Sequence, residues 1–174
     1  KITNSKIQPG RSDSNYDGCN QNAGAFIGWT NSSITITNTT QAVSVLNTTV
    51  YKDGTGDAGH AMLIGNSEGD NSTIIKNVIT EGTVYGSWYT GGMVGNILGS
   101  FTAENCINRA KVVGNGDNVG GLVGRVGDRN EHASYNSSVS MKNCTNEGSV
   151  SNNGKTTAGG LIGWLNNSSY ATEI

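Results

Sequence analysis

The sequence predicts an all-β chain wound as a parallel β-solenoid, or β-helix, of about five 29–39-residue repeats with two side inserts. Three observations lead there. A short apolar segment framed by glycine recurs as Gly24-Ala25-Phe26-Ile27-Gly28, Ala61-Met62-Leu63-Ile64-Gly65, Gly91-Gly92-Met93-Val94-Gly95, Gly120-Gly121-Leu122-Val123-Gly124 and Gly159-Gly160-Leu161-Ile162-Gly163. The copies start 37, 30, 29 and 39 residues apart, a spacing typical of repeat architectures. A second anchor keeps the same period: Asn38, Asn77, Asn105 and Asn143 align in the first four repeats, and seven residues after each comes Val45, Val84, Val112 or Val150. Finally, Gly, Asn, Ser and Thr dominate the links and no 3.6-residue period appears, so no helix is expected.

In chain order, residues 1–23 read as an N-terminal cap or arm, carrying the single proline, Pro9, and the polar run 11–17. Residues 24–174 read as the repeat domain, with repeats starting near 24, 61, 91, 120 and 159. Each glycine-framed segment reads as one short apolar strand, its glycines placed where the backbone bends or approaches another layer. Ile34-Thr35-Ile36-Thr37 alternates cleanly, as a strand with one buried face does. Around each aligned asparagine the alternation breaks: Ile75 and Val78, or Ala103 and Cys106, are three apart with Asn between them. Asparagine tolerates the left-handed backbone of a sharp bend, so it is read as a corner residue with a structural role, laddered on its counterparts from turn to turn and facing inward. Extra length between Val45 and Ala61, and across roughly 127–138, reads as the two inserts. The fifth repeat stops at Ile174 before its corner Asn and last strand. Val84, Val112, Val150, Leu122 and Val123 are expected to share one continuous core, although Leu122 and Val123, neighbours on one strand, cannot both face straight inward.

The Gly-Gly-Leu-Val-Gly segment at 120–124, with Asn-Cys-Thr-Asn-Glu-Gly-Ser-Val at 143–150, resembles the GLUG-type repeats of secreted and surface-anchored proteins. The resemblance spans residues 24–165, specific in repeats three to five and looser in the first two, where the paired glycines are lost. It implies a β-solenoid forming a non-catalytic part of large adhesin-like or peptidase-associated surface proteins.

Composition bounds the chemistry. Eleven basic against thirteen acidic residues, a formal charge of −2, give no electrostatic case for nucleic acid or an anionic membrane. No apolar run reaches the length of a membrane span, so no membrane insertion is expected. The chain begins at Lys1 without an initiator Met or signal sequence, as a processed product or a piece of something longer would. Of three cysteines, Cys106 and Cys144 share one aligned position and are expected one rung apart, about 4.8 Å, compatible with a disulfide or with an apolar thiol ladder; Cys19 has no sequence partner.

Asp53 and Asp57, in Asp-Gly-Thr-Gly-Asp beside His60, are the candidate metal ligands, but a calcium site of this kind needs successive copies and one partial copy reads as a surface turn. No metal or cofactor is therefore expected. Acidic residues do not align from repeat to repeat, Glu104 falling beside Lys76, Lys142 and Thr37, which argues against a hydrolase or lyase groove. Sequons occur at Asn31, Asn38, Asn47, Asn71, Asn136, Asn143, Asn166 and Asn167. Glycans are expected on Asn31, Asn47, Asn71, Asn136 and Asn167, in links or inserts, and not on the corner residues Asn38 and Asn143. Trp29 and Trp164 take equivalent slots at the two ends of the array, where they cover the core ends or stack on sugars. The expected function is a non-enzymatic structural or adhesive repeat module of an extracellular or cell-surface glycoprotein or fibril. Its expected partners are other copies, end to end, and glycans or cell-surface ligands. The rivals are a carbohydrate-active β-helix enzyme and an ice-binding solenoid.

Overall fold

The computed structural model describes residues 3–7, 22–46, 58–127, 137–153, 156–166 and 172–173. Every regular element among them is a β-strand, and the strands form three parallel sheets. The long sheet holds ten strands: Thr3–Ile7, Ile34–Leu46, Ser72–Gly86, Ser100–Glu104, Ile107–Asn108, Lys111–Gly114, Val139–Lys142, Thr145–Asn146, Val150–Asn152 and Thr172–Glu173. A short sheet holds Gly59–Ala61, Tyr89–Gly91, Asn118–Gly120 and Thr157–Gly159. The third, here the motif sheet, holds Ile27–Thr30, Ile64–Ser67, Val94–Ile97, Val123–Val126 and Ile162–Leu165.

Pairing follows the repeat. In the motif sheet Ile27 opposes Ile64, Ile64 opposes Val94, Val94 opposes Val123 and Val123 opposes Ile162. In the short sheet Ala61, Gly91, Gly120 and Gly159 form one row. In the long sheet the valine anchor is continuous, Val45 on Val84, Val84 on Val112 and Val112 on Val150. Each sheet thus runs through successive repeats, every strand bonded to its counterpart in the neighbouring repeat.

The break in alternation has the expected cause. Asn38, Asn77, Asn105 and Asn143 have φ of 54°, 54°, 52° and 53°, and no other non-glycine described residue has a positive φ. One left-handed residue shifts the strand's phase, so Ile75 and Val78 both turn inward across Asn77.

Two expectations are corrected. The glycine-framed segment is not one strand but a corner. In the last four copies its first residue, Ala61, Gly91, Gly120 or Gly159, ends a short-sheet strand, its fourth opens a motif-sheet strand, and the two residues between make the bend. Leu122 and Val123 are therefore both fully buried, because the chain turns between them. One carbonyl serves both amides at each bend: Leu122 O accepts from Met93 N at 2.8 Å and Val94 N at 3.0 Å, and Leu161 O accepts from Leu122 N and Val123 N at 2.8 and 3.0 Å.

Among the described residues the core is likewise two clusters rather than one. The larger gathers Leu63, Ile64, Ile75, Val78, Met93, Phe101, Leu122 and Val123 with their neighbours; the smaller gathers Ala23, Ala25, Met62, Val84 and Ala110. Between them in each turn runs a polar row, Gln41, Thr80, Asn108 and Asn146, of which the first three are fully buried. Val150, in the last layer, is only half-buried.

Both edges of the long sheet carry a terminal strand. Thr3–Ile7 pairs with Ile34–Leu46, and Thr172–Glu173 pairs with Val139–Lys142. Residues 1–2 and 8–21 of the proposed cap, and most of the two inserts, lie outside the described residues.

Candidate functional site

The most regular feature of the surface is the corner row. Asn77 Nδ2 donates to Asn38 Oδ1 at 3.0 Å, Asn105 Nδ2 to Asn77 Oδ1 at 3.1 Å and Asn143 Nδ2 to Asn105 Oδ1 at 3.1 Å. All four side chains are exposed, so the ladder runs along the outside of the corner and not inward as expected. A left-handed corner throws the side chain away from the core, and the stacking distance lets each carboxamide reach the next.

Charged rows flank it. Thr37, Lys76, Glu104 and Lys142 share one register row, with Lys76 Nζ 2.9 Å from Glu104 Oε2. The hydrogen bond and charge of Lys76 hold the Glu104 carboxyl below the usual carboxylate range. Beyond the corner, Arg109 bridges two layers, 3.5 Å from Glu81 and 2.8 Å from Glu147. Those hydrogen bonds, the Glu147 one foremost, raise its pKa further. Charge alternates along Lys76, Glu104 and Lys142 and along Glu81, Arg109 and Glu147, and the exposed ion pairs contribute little stability.

A second asparagine row is hidden, and the sequence reading missed it. Thr80 Oγ1 donates to Asn108 Oδ1 at 2.8 Å, and Asn108 Nδ2 donates to Asn146 Oδ1 at 2.8 Å and to Ala110 O at 3.1 Å. Ala110 N returns a bond to Asn108 Oδ1 at 3.1 Å, so the buried carboxamide is satisfied on both atoms. The signal was present: Asn108 and Asn146 each follow a corner asparagine by three residues.

This row explains the paired glycines. A Cβ on Gly92 would sit 2.5 Å from the Asn108 carboxamide and 2.1 Å from Gly121 O; on Gly121, 2.5 Å from Asn146 Cγ and 2.0 Å from Gly160 O. The first glycine answers to the bend itself, since a Cβ on Gly120 would lie 1.9 Å from Val123 O. Where the second position holds Ala25 or Met62, the same turn places Gln41 or Thr80 in the polar row.

On the motif sheet, Trp29, Asn66, Asn96, Arg125 and Trp164 form one row. Asn96 Nδ2 donates to Asn66 Oδ1 at 3.0 Å, and the buried Arg125 donates from Nε to Gly127 O at 2.7 Å and from its terminal nitrogen to the Tyr89 hydroxyl. Its guanidinium lies 4.4 Å from the Tyr89 ring centre and 5.6 Å from that of Trp164. Trp29 is 50% exposed at the first layer, where an aromatic face is open to solvent.

Asn31 is exposed, whereas Asn71 Nδ2 is engaged with Asn31 O at 2.6 Å and Glu68 O at 2.8 Å, tying two layers together. N-linked attachment would leave Asn71 Nδ2 a single N–H and so cost one of those two bonds. Asn143 spends its Nδ2 on the ladder, while Asn38 enters it only through its oxygen. Asn47, Asn136 and Asn167 lie outside the described residues.

Cys106 and Cys144 are neighbours in adjacent layers and both are free thiols. Asp53 and Asp57 lie outside the described residues, among which no group of three or more His, Cys, Asp or Glu is placed to hold a metal. His60 lies in Gly59–Ala61, opposite Thr90, fully buried.

No family model matches the chain, and no curated protein matches it. Among solved structures, a crystal structure of a "putative immunoglobulin A1 protease" from Bacteroides ovatus is similar at 13% identity and a TM-score of 0.42, over 95% of this chain and 79% of that one. An overlap of that size carries no argument about this chain's activity.

Proposed function

We propose that this chain is a β-solenoid repeat module, non-enzymatic, serving a structural or adhesive role in an extracellular or cell-surface protein. The observation that carries the reading is the shared register: one position per repeat pairs with the same position of the next in all three sheets, and asparagine ladders run along the axis. A stack held this way is a stiff spacer whose faces are free to meet ligands. Three of the described carboxylates fit the same reading, because Glu104, Glu81 and Glu147 are paired with Lys76 and Arg109. The resemblance to GLUG-type repeats points to the same kind of role and to a surface location.

Ice binding has no support in the register, since Thr35, Ile74, Thr102 and Ser140 occupy one row and interrupt any regular threonine face. The purified chain, assayed on panels of polysaccharides and peptides with parallel glycan and cell binding, is expected to bind without turnover. Turnover lost on replacing a single carboxylate would overturn the reading.

A further inference from the structure

The two asparagine ladders account for the corner and the polar row, but not for the cysteines that follow Asn105 and Asn143. Ile107 opposes Thr145 and Glu104 opposes Lys142, so Cys106 and Cys144, between those pairs, face each other across adjacent layers. The bond from Thr145 N to Cys106 O, 2.9 Å, fixes the two strands at this point. Cross-strand neighbours are separated by about 4.8 Å, inside the Cα range that a disulfide requires.

The two thiols are not equivalent. Cys106 is fully buried, its Sγ 3.3 Å from Glu104 O and 3.4 Å from Ile75 O. Cys144 is half-buried at the end of the row, its Sγ 3.4 Å from Lys142 O, and solvent reaches it. We infer that Cys144 is a modification site for low-molecular-weight disulfides, with Cys106 as the resolving thiol that converts the adduct into a bond between adjacent layers.

The chemistry balances without a further reagent. The Cys144 thiolate attacks one sulfur of a small disulfide such as oxidised glutathione, forming a mixed disulfide and expelling one glutathione thiolate. Cys106 Sγ then attacks Cys144 Sγ, the mixed disulfide breaks and the second glutathione leaves. The protons of the two protein thiols end on the two released glutathiones. Two protein thiols are oxidised and one small disulfide is reduced. Electrostatics favour this order. A hydrogen bond from Cys106 lowers Cys144 to about 7 against the opposing pull of burial, and the same bond together with burial pushes Cys106 up. Among the charged groups, the Glu104 carboxylate on the neighbouring strand works weakly against the thiolate.

The product would add a covalent link between layers now held by hydrogen bonds, ion pairs and core packing, and closing so long a loop raises stability. The test uses the full chain with Cys19→Ser, so that the thiol outside the described residues takes no part. Incubation with oxidised glutathione at neutral pH should give a Cys106–Cys144 disulfide, seen by peptide mapping as the loss of two hydrogens with no adduct retained. The melting temperature should rise and return on reduction. With Cys106→Ala the reaction should stop at a single glutathione on Cys144. Alkylation of the unsubstituted chain under native conditions provides a readout that needs no core variant: Cys144 should be labelled well before Cys106. Equal labelling, labelling of Cys106 first, or persistence of both as free thiols would overturn the assignment.

Discussion

The residue that does most here is asparagine, in two different ways. At the corners it accepts a left-handed backbone and uses its exposed carboxamide to reach the next layer. In the polar row its carboxamide is buried, and must therefore be bonded at both ends. The corner role separates into backbone and side chain by substitution at Asn105, which bonds a layer on either side. Both Asn105→Gly and Asn105→Ala lose those bonds. The alanine also meets a left-handed penalty of about 1–2 kcal/mol, whereas glycine's added freedom in the unfolded chain costs about 0.5–1 kcal/mol. Urea unfolding should therefore rank wild type above Asn105→Gly and Asn105→Ala last. An alanine variant more stable than the glycine one would mean that the corner does not hold its left-handed conformation in solution.

At the scale of the element, the corner asparagines and the valine anchor were legible in the sequence because each recurs at a fixed offset, and a parallel stack converts equal offsets into spatial neighbours. The motif was legible as a repeat but misread as a strand. Five residues framed by glycine suit a strand or a bend equally well, and only the contact between Gly120 and Val123 O decides between them. The polar row escaped notice because its members differ, Gln41 and Thr80 before Asn108 and Asn146, so no identity repeats until the fourth turn. The outward ladder was misplaced because an aligned polar residue reads equally as buried or exposed until the backbone angle is known. The charged rows give this scale its pH dependence. Glu104 titrates below its unfolded value, so its pairing with Lys76 stabilises the fold above the ordinary carboxylate range and is lost as pH falls through the depressed value. Lys76→Met should shift the Glu104 titration, followed by carboxyl NMR, upward toward an ordinary glutamate. An unmoved titration would mean that the pair is not formed in solution.

At the scale of the whole molecule, stability in a stack comes from each layer plus its interfaces with the layers on either side. The inner layers meet on both faces, and their motif residues Leu63, Met93 and Leu122 are fully buried, while Phe26 in the first layer is 38% exposed and Leu161 in the last is partly open. The second glycine of the motif reports the same gradient without any change of chemistry. Gly92 and Gly121 each lie against a carbonyl of the following layer, whereas a Cβ on Gly160 would meet nothing within 4 Å. The unfolding free energies of Gly92→Ala, Gly121→Ala and Gly160→Ala in the same chain therefore test the stacking most directly. Forcing a methyl against a backbone carbonyl should cost about 1–3 kcal/mol or more at Gly92 and Gly121, and the open position should stay within about 0.5 kcal/mol of wild type. If the first two variants are as harmless as the third, consecutive repeats do not stack in this register.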